Sequence, residues 1–125
     1  MAILAIDWGQ KNVGLAFSEH GKIAKPLKTL KNQKKKNIFR TLSQLCQELK
    51  IEKIVLGIPQ NEKETKQSKY IKKKAKELKI LLKLPLVLQD EGFTSFEAEN
   101  FMHSQKSDID SESAKIILQD YLNQK

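Results

Sequence analysis

The opening stretch of the chain restricts its fold more than any other part. Ala2 to Ile6 is an uninterrupted apolar run, which suits a strand buried on both faces in the middle of a sheet. Asp7 stops that run. Trp8-Gly9-Gln10-Lys11-Asn12 supplies the Gly and Asn of a hairpin connection, and Val13 to Ser18 reads as a second strand. A third segment, Lys22 to Leu30, is broken by Pro26, which lacks a ladder donor and therefore belongs towards an edge. Strands joined this tightly run antiparallel, so the chain starts as a three-stranded meander.

The hydrophobic period then changes. Ile38, Leu42, Leu45, Cys46 and Leu49 form the stripe of an amphipathic helix. Lys53 to Ile58 is a short buried strand ended by Pro59. A second helix over residues 65–82 carries Ile71, Ala75, Leu78 and Leu82 on one face, with Lys72, Lys73, Lys76 and Lys79 around the other. Leu84 to Leu88 returns to strand. Thr94-Ser95-Phe96-Glu97 has capping-box spacing and predicts a helix start at Thr94. A last helix over residues 110–123 presents Ala114, Ile117, Leu118 and Tyr121. The order βββαβαβαα predicts an α/β fold, with a five-stranded mixed sheet flanked by helices. Right-handed crossovers make strands one, four and five parallel, with their C-terminal ends along one edge. In open sheets that edge is where sites are built.

At 125 residues the chain is about one domain long, and without a linker or repeat it reads as one domain over 1–125. A single cysteine, Cys46, excludes an internal disulfide and fits a reducing compartment. The first apolar run is too short for a signal segment, and no stretch approaches the length that spans a bilayer. A cytoplasmic protein without a membrane partner is expected. The net charge of +8 is unevenly spread: residues 1–84 hold 20 basic and 7 acidic groups, residues 85–125 hold 3 and 8. A surface that attracts phosphate backbones beside a cluster of carboxylates suits an enzyme that grips nucleic acid and cuts it with metal. Lysine bias is the plainer source, since 22 of the 23 basic residues are lysine.

Two acidic positions fall at the proposed edge. Asp7 closes strand one, and Asp90-Glu91 follows strand five. Asp110 joins them if the last helix folds back across the end of the sheet. Oxygen donors converging without Cys or His suit Mg²⁺ or Mn²⁺ rather than zinc. Such ions activate water and stabilise the leaving oxygen in phosphodiester cleavage. Each acid also has a structural use: Asp7 as an Asx residue opening the hairpin, Asp90 and Glu91 as loop charges, and Asp108 or Asp110 as an N-cap.

Four blocks in order carry a family resemblance. Ile6-Asp7-Trp8-Gly9-Gln10-Lys11-Asn12-Val13-Gly14-Leu15-Ala16 resembles the opening motif of the YqgF (RuvX-type) RNase H-like nucleases. Leu56-Gly57-Ile58-Pro59-Gln60-Asn61 resembles their Gly-x-Pro-Leu-Asn stretch. Leu84 to Ser95 is similar to their strand followed by Asp-Glu-Arg-x-Thr-Thr. Asp110-Ser111-Glu112-Ser113-Ala114, continuing through Ile117-Leu118-Gln119-Asp120-Tyr121-Leu122, is similar to their Asp-x-x-Ala-Ala helix ending in Gln-x-Tyr-Leu. The resemblance implies an RNase H-like fold. It also implies a metal-dependent nuclease that matures the 5′ end of the 16S rRNA precursor, with Holliday-junction resolution as the alternative role. Asp7, Glu91 and Asp110 match the family's acidic positions and would be both the catalytic residues and the Mg²⁺ or Mn²⁺ ligands. Asn12 and Gly92 stand where the family has arginine, and neither can bind a phosphate bidentately.

Lys11, Lys72, Lys73 and Lys76 are the candidate nucleic-acid contacts; a solvated lysine is the plainer use of each. Trp8 suits packing better than stacking on a base, and Cys46 suits the core. Thr94 and Ser95 read as a cap close to the acids, and neither His20 nor His103 has a partner visible in sequence. The Asp7-x-Gly9 hairpin also resembles the phosphate-binding hairpin of actin-like ATPases and sugar kinases, which need two such domains. A non-catalytic RNA-binding module on the same fold is a third reading. A monomer or weak homodimer is expected, and phosphate attraction does not distinguish RNA from DNA.

Overall fold

The computed structural model describes residues 1–9, 11–31, 33–58, 65–90 and 109–124, with the side chains at 109 and 110 outside that description. The meander forms as expected: β1 (Ile3–Trp8), β2 (Asn12–Ser18) and β3 (Lys25–Lys31). Helix α1 (Lys35–Glu48), strand β4 (Lys53–Ile58), helix α2 (Lys66–Leu82), strand β5 (Leu86–Asp90) and helix α3 (Ile109–Asn123) follow. The helix expected to start at Thr94 lies outside the described residues.

The sheet order is β3-β2-β1-β4-β5. β1 is central, antiparallel to β2 and parallel to β4, while β5 continues the parallel half. The apolar run of β1 is explained by this position. Leu4, Ile6 and Trp8 face a core formed with α1 and α2, and Ile3 and Ala5 face a second core under α3. β3 is the edge strand, as Pro26 required, and its register shifts opposite Leu15 and Ala16. At the other edge β5 leaves Leu88 partly exposed.

Helix α1 buries Ile38 and Leu42. Helix α2 buries Ile71, Ala75 and Leu78, each large aliphatic contributing about 1.5–3 kcal/mol relative to exposure. Its start is fixed by a capping box. The Thr65 Oγ1 accepts from the Ser68 N–H at 3.1 Å, and the Ser68 Oγ accepts from the Thr65 N–H at 2.8 Å. Helix α3 lays Ala114, Ile117, Leu118 and Leu122 on Ile3, Ala5, Ala16 and Val55. The small Ala5 and Ala16 let that helix sit close to the sheet.

Candidate active site

Strand alternation puts Asp7 on the α3 side of the sheet, in line with Ile3 and Ala5. Its neighbours at that level are set by register. Asp7 pairs with Gly14, and Gly14 pairs with Thr29. On the other side Asp7 lies one residue beyond the Ile6–Leu56 pair, level with Gly57, which pairs with Gln89. One row across five strands therefore reads Thr29, Gly14, Asp7, Gly57, Gln89. The central carboxylate has a glycine on each neighbouring strand, so no side chain crowds it within the sheet. The half-buried Asp7 has a contact of its own. At the ends of the row are buried polar groups: Gln89 is 9% exposed, and the Thr29 hydroxyl has no hydrogen-bond partner among the described residues.

The hairpin after Asp7 is held tightly. The Gly9 N–H donates to the Asn12 carbonyl at 2.9 Å, and a Cβ at Gly9 would lie 2.8 Å from that oxygen. Close approach, rather than a left-handed backbone, is what calls for glycine here. Beneath the hairpin Trp8 is 3% exposed and packs edge-on against Phe39, with ring centroids 5.7 Å apart. Trp8 is a core residue, in keeping with the expectation that it packs rather than stacks on a base.

Helix α3 runs back over the sheet with its start towards Asp7. Its C-terminal half is tied to the opposite end: the Lys53 Nζ donates to the Tyr121 hydroxyl at 2.8 Å, and Lys53 pairs with Ile3. From Tyr121 back to Asp110 is about 16 Å of helix. From the Ile3 level to Asp7 is about 13 Å of strand. By these lengths the backbone of Asp110, the second residue of α3, comes to about the level of Asp7 along the sheet.

Of the three expected acids, Asp7 is placed at the edge, Asp110 enters by its backbone position, and Glu91 lies outside the described residues. Asp90 is resolved differently. It pairs with Ile58, which faces the α1–α2 core, so Asp90 is on the opposite side of the sheet from Asp7. Among the described residues no group of three His, Cys, Asp or Glu could hold a metal ion. The described donor at this edge is the Asp7 carboxylate, a hard oxygen group of the kind that Mg²⁺ and Mn²⁺ take as ligands.

The positive charge is arranged more broadly than the sequence suggested. Lys11 is exposed on the hairpin, and Lys72, Lys73 and Lys76 are exposed along α2, about 9 to 15 Å from its first residue. Nearer the edge are Lys31 at the end of β3, the exposed run Lys34 to Lys36 at the start of α1, and Lys66 at the start of α2. These were legible only as element ends. The first turns of α1, α2 and α3 all point to the edge that bears Asp7, adding their partial positive charge to that of the lysines.

One lysine on α2 is not part of that surface. Lys74 is 5% exposed, its Nζ 4.8 Å from the Tyr70 ring centroid, 5.8 Å from that of Trp8 and 3.8 Å from Glu77. Burial lowers its pKa, against the pull of Glu77. Glu77 also pairs with Lys35 at 2.7 Å, and that contact chiefly holds its carboxyl below the ordinary value. Lys74 falls three residues after Ile71 and four before Leu78, so helical phase carried the signal that residue type concealed. Cys46 is half-buried against the α1–α2 core, and desolvation pushes its thiol up to about 11. His20 is exposed beside Glu19 at 3.9 Å, and His103 lies outside the described residues.

Comparison with known proteins gives a consistent answer. The family model described as "RuvX: Holliday junction resolvase" matches residues 1–124. A protein of Dictyoglomus turgidum named "Putative pre-16S rRNA nuclease" is 35% identical, with 98% of this chain and 94% of that protein covered. A protein of the same name from Bacillus cytotoxicus is 34% identical, with both chains covered completely, at 100%. Among solved structures, Thermus thermophilus RuvC in complex with a Holliday junction substrate superposes with a TM-score of 0.66 at 12% identity, covering 99% of this chain and 95% of that one. The fowlpox virus resolvase bound to Holliday junction DNA gives 0.63 at 14% identity, covering 99% and 98%. At these identities the structures speak for the fold, which is RNase H-like.

Proposed function

Because the chain belongs to the RuvX Holliday junction resolvase family, we propose that it is a metal-dependent nuclease, one domain over residues 1–125, that hydrolyses phosphodiester bonds in nucleic acid. The names of relatives matched over nearly their whole length favour the 16S rRNA precursor as substrate, and the cytoplasm is the location that suits this role. The observation that carries the reading is the row Thr29, Gly14, Asp7, Gly57, Gln89. It sets a carboxylate in the central strand between two glycines, level with the polar Thr29 and Gln89.

Asp7, Glu91 and Asp110 would hold Mg²⁺ or Mn²⁺, which when bound lowers the pKa of water and offsets charge on the leaving oxygen. The protein's own part is to orient and to attract. Asp7 is carried by the central strand, and Asp110 lies in the first turn of α3. The rim of Lys11, Lys31, Lys34, Lys36 and Lys66, with Lys72, Lys73 and Lys76 farther along α2, draws in the phosphate backbone and holds it by charge. Asn12 and Gly92 add no bidentate phosphate contact, so positioning rests on these lysines and on the helix starts.

The test is cleavage of precursor 16S rRNA, single-stranded RNA and a four-way DNA junction with Mg²⁺ or Mn²⁺, comparing the wild type with Asp7→Asn. Metal-dependent cutting of the precursor that disappears in Asp7→Asn is the expected result. The family's description favours one second reading, and preferential cutting of the junction would establish it. Equal cutting by both proteins, or none with binding retained, would replace the nuclease reading with a binding module.

A further inference from the structure

The Gln119-Asp120-Tyr121-Leu122 block ends α3 about as far from Asp7 as that helix reaches, so nothing in the proposed chemistry uses it directly. Its contacts are nonetheless more specific than helix packing needs. The Gln119 Oε1 accepts from the Ala24 N–H at 3.0 Å, while its Nε2 donates to the Lys22 carbonyl at 3.3 Å and to the Asn123 Oδ1 at 3.2 Å. One side chain thus serves both a donor and an acceptor of the backbone between β2 and β3. Two residues on, the Tyr121 hydroxyl accepts from the Lys53 Nζ at 2.8 Å, and that ammonium is 5.5 Å from the ring centroid. The two ties reach opposite sides of the helix, one to the meander and one to the parallel half of the sheet.

Beyond the buried Ser111, Glu112 and Ser113 of its first turns, the described packing of α3 on the sheet is through apolar side chains. Ala114, Ile117, Leu118 and Leu122 rest on Ile3, Ala5, Ala16, Ala24 and Val55. Apolar burial is non-directional and roughly proportional to area, so it holds a helix against a sheet with little say over position along its axis. Hydrogen bonds at about 3 Å do have a say, because they weaken steeply with distance and angle. A slip of one helical turn would move the start of α3 by about 5.4 Å, enough to take Asp110 away from the level of Asp7.

We infer that Gln119 and Tyr121 are positioning residues: their ties to Lys22, Ala24 and Lys53 set the axial register of α3 and hence the placement of Asp110 relative to Asp7. This rests on the metal-site reading above. It assigns a role in the site to two side chains at the far end of the molecule, where the sequence block has no chemistry of its own.

The test is Mn²⁺ binding to the whole chain, followed by the paramagnetic resonance signal of the free ion, with no nucleic acid present. Gln119→Leu should weaken Mn²⁺ binding by about 10-fold, the scale on which groups supporting metal ligands act. Tyr121→Phe keeps the ring, loses the hydroxyl and should weaken it by about 3-fold. Gln119→Glu keeps the acceptor for Ala24 but not the donor to Lys22, and should fall between Gln119→Leu and the wild type. Ile71→Val, on the other side of the sheet, controls for loss of stability and should lower the melting temperature without changing the Mn²⁺ affinity. Wild-type affinity in both Gln119→Leu and Tyr121→Phe, with binding lost in Asp7→Asn, would overturn the inference and leave the metal site standing. Equal weakening by Ile71→Val would also overturn it. Absence of Asp7-dependent binding in the wild type would overturn the metal reading and this inference together.

Discussion

Asp90 pairs with Ile58 at the end of the β4–β5 ladder, and Ile58 belongs to the core beneath α1 and α2. Asp90, the last residue of β5, is therefore turned away from the face that carries Asp7. Asp90→Asn should leave metal-dependent cleavage within about 3-fold of wild type, as befits a surface change away from the site. Asp7→Asn and Glu91→Gln should each lower kcat by about 100- to 1000-fold or more. Single-turnover cleavage by the three variants checks this, and a large loss in Asp90→Asn would contradict the face assignment.

Gly9 is confined by its neighbour across the turn. A methyl group there meets the Asn12 carbonyl oxygen at 2.8 Å, a backbone atom that cannot rotate away. Gly9→Ala should destabilise the protein by about 1–3 kcal/mol through forced backbone movement. Urea denaturation gives this directly. Because the hairpin starts two residues after Asp7, Mn²⁺ affinity should fall as well, whereas an alanine tolerated without either change would show that the turn has room.

The ion pair between Glu77 and Lys35 makes stability depend on pH with a definite sign. Glu77 titrates below its ordinary 4.5, chiefly through the Lys35 contact. Its contribution is therefore complete above 4.5 and is lost as the pH falls through the lower folded-state value. Glu77→Gln should melt at a lower temperature than wild type at pH 7, and the gap should close in strongly acidic buffer. Lys74 acts in the other direction. Burial lowers its pKa below 10.5, so its charged form opposes folding at neutral pH, and that opposition fades as the pH rises through the lowered value towards 10.5. Lys74→Met should consequently cost less at pH 7 than its contacts with Tyr70 and Trp8 would suggest. A thermal melt series for both variants across pH tests the two signs.

Cys46 should be a slow nucleophile. With its thiol pushed from 9.0 to about 11 by burial, the thiolate fraction at pH 8 falls by about 100-fold. Alkylation by iodoacetamide should be correspondingly slow in the folded protein and fast in denaturant. Rapid alkylation under native conditions would show that this part of α1 opens readily.

If the lysines of α2 hold a phosphate backbone by charge, their removal should act through salt. Lys73→Ala should weaken RNA binding about equally for different sequences and reduce the slope of log affinity against log salt by about one unit. A salt titration by fluorescence anisotropy measures that slope, and an unchanged slope would place the nucleic acid elsewhere.

Much of this structure is written in local pattern. The apolar run of β1, the tight Gly-containing hairpin and Pro26 in β3 are enough for a central strand, a meander and an edge, because each depends on a few adjacent residues. The stripes of α1, α2 and α3 follow from periodicity in the same way, and they agree with the buried sets headed by Ile38, Ile71 and Ala114. Asp7 could be singled out as the acid that ends a buried strand. Lys74 was left unassigned in the sequence, although its spacing from Ile71 and Leu78 puts it on the buried stripe.

What the chain could not state locally is which groups face one another. The row that frames Asp7 with Gly14 and Gly57 joins residues from three strands, and only strand register brings them level. Register likewise sends Asp90 to the side opposite Asp7, a difference of one residue that no composition or spacing records. The placement of Asp110 depends on contacts that Gln119 and Tyr121 make with residues some 70 to 95 positions away in sequence. Sequence alone determined the elements, because short-range sterics and hydrophobic periodicity act along the chain. Tertiary structure decided the site, because pairing and helix docking act across it.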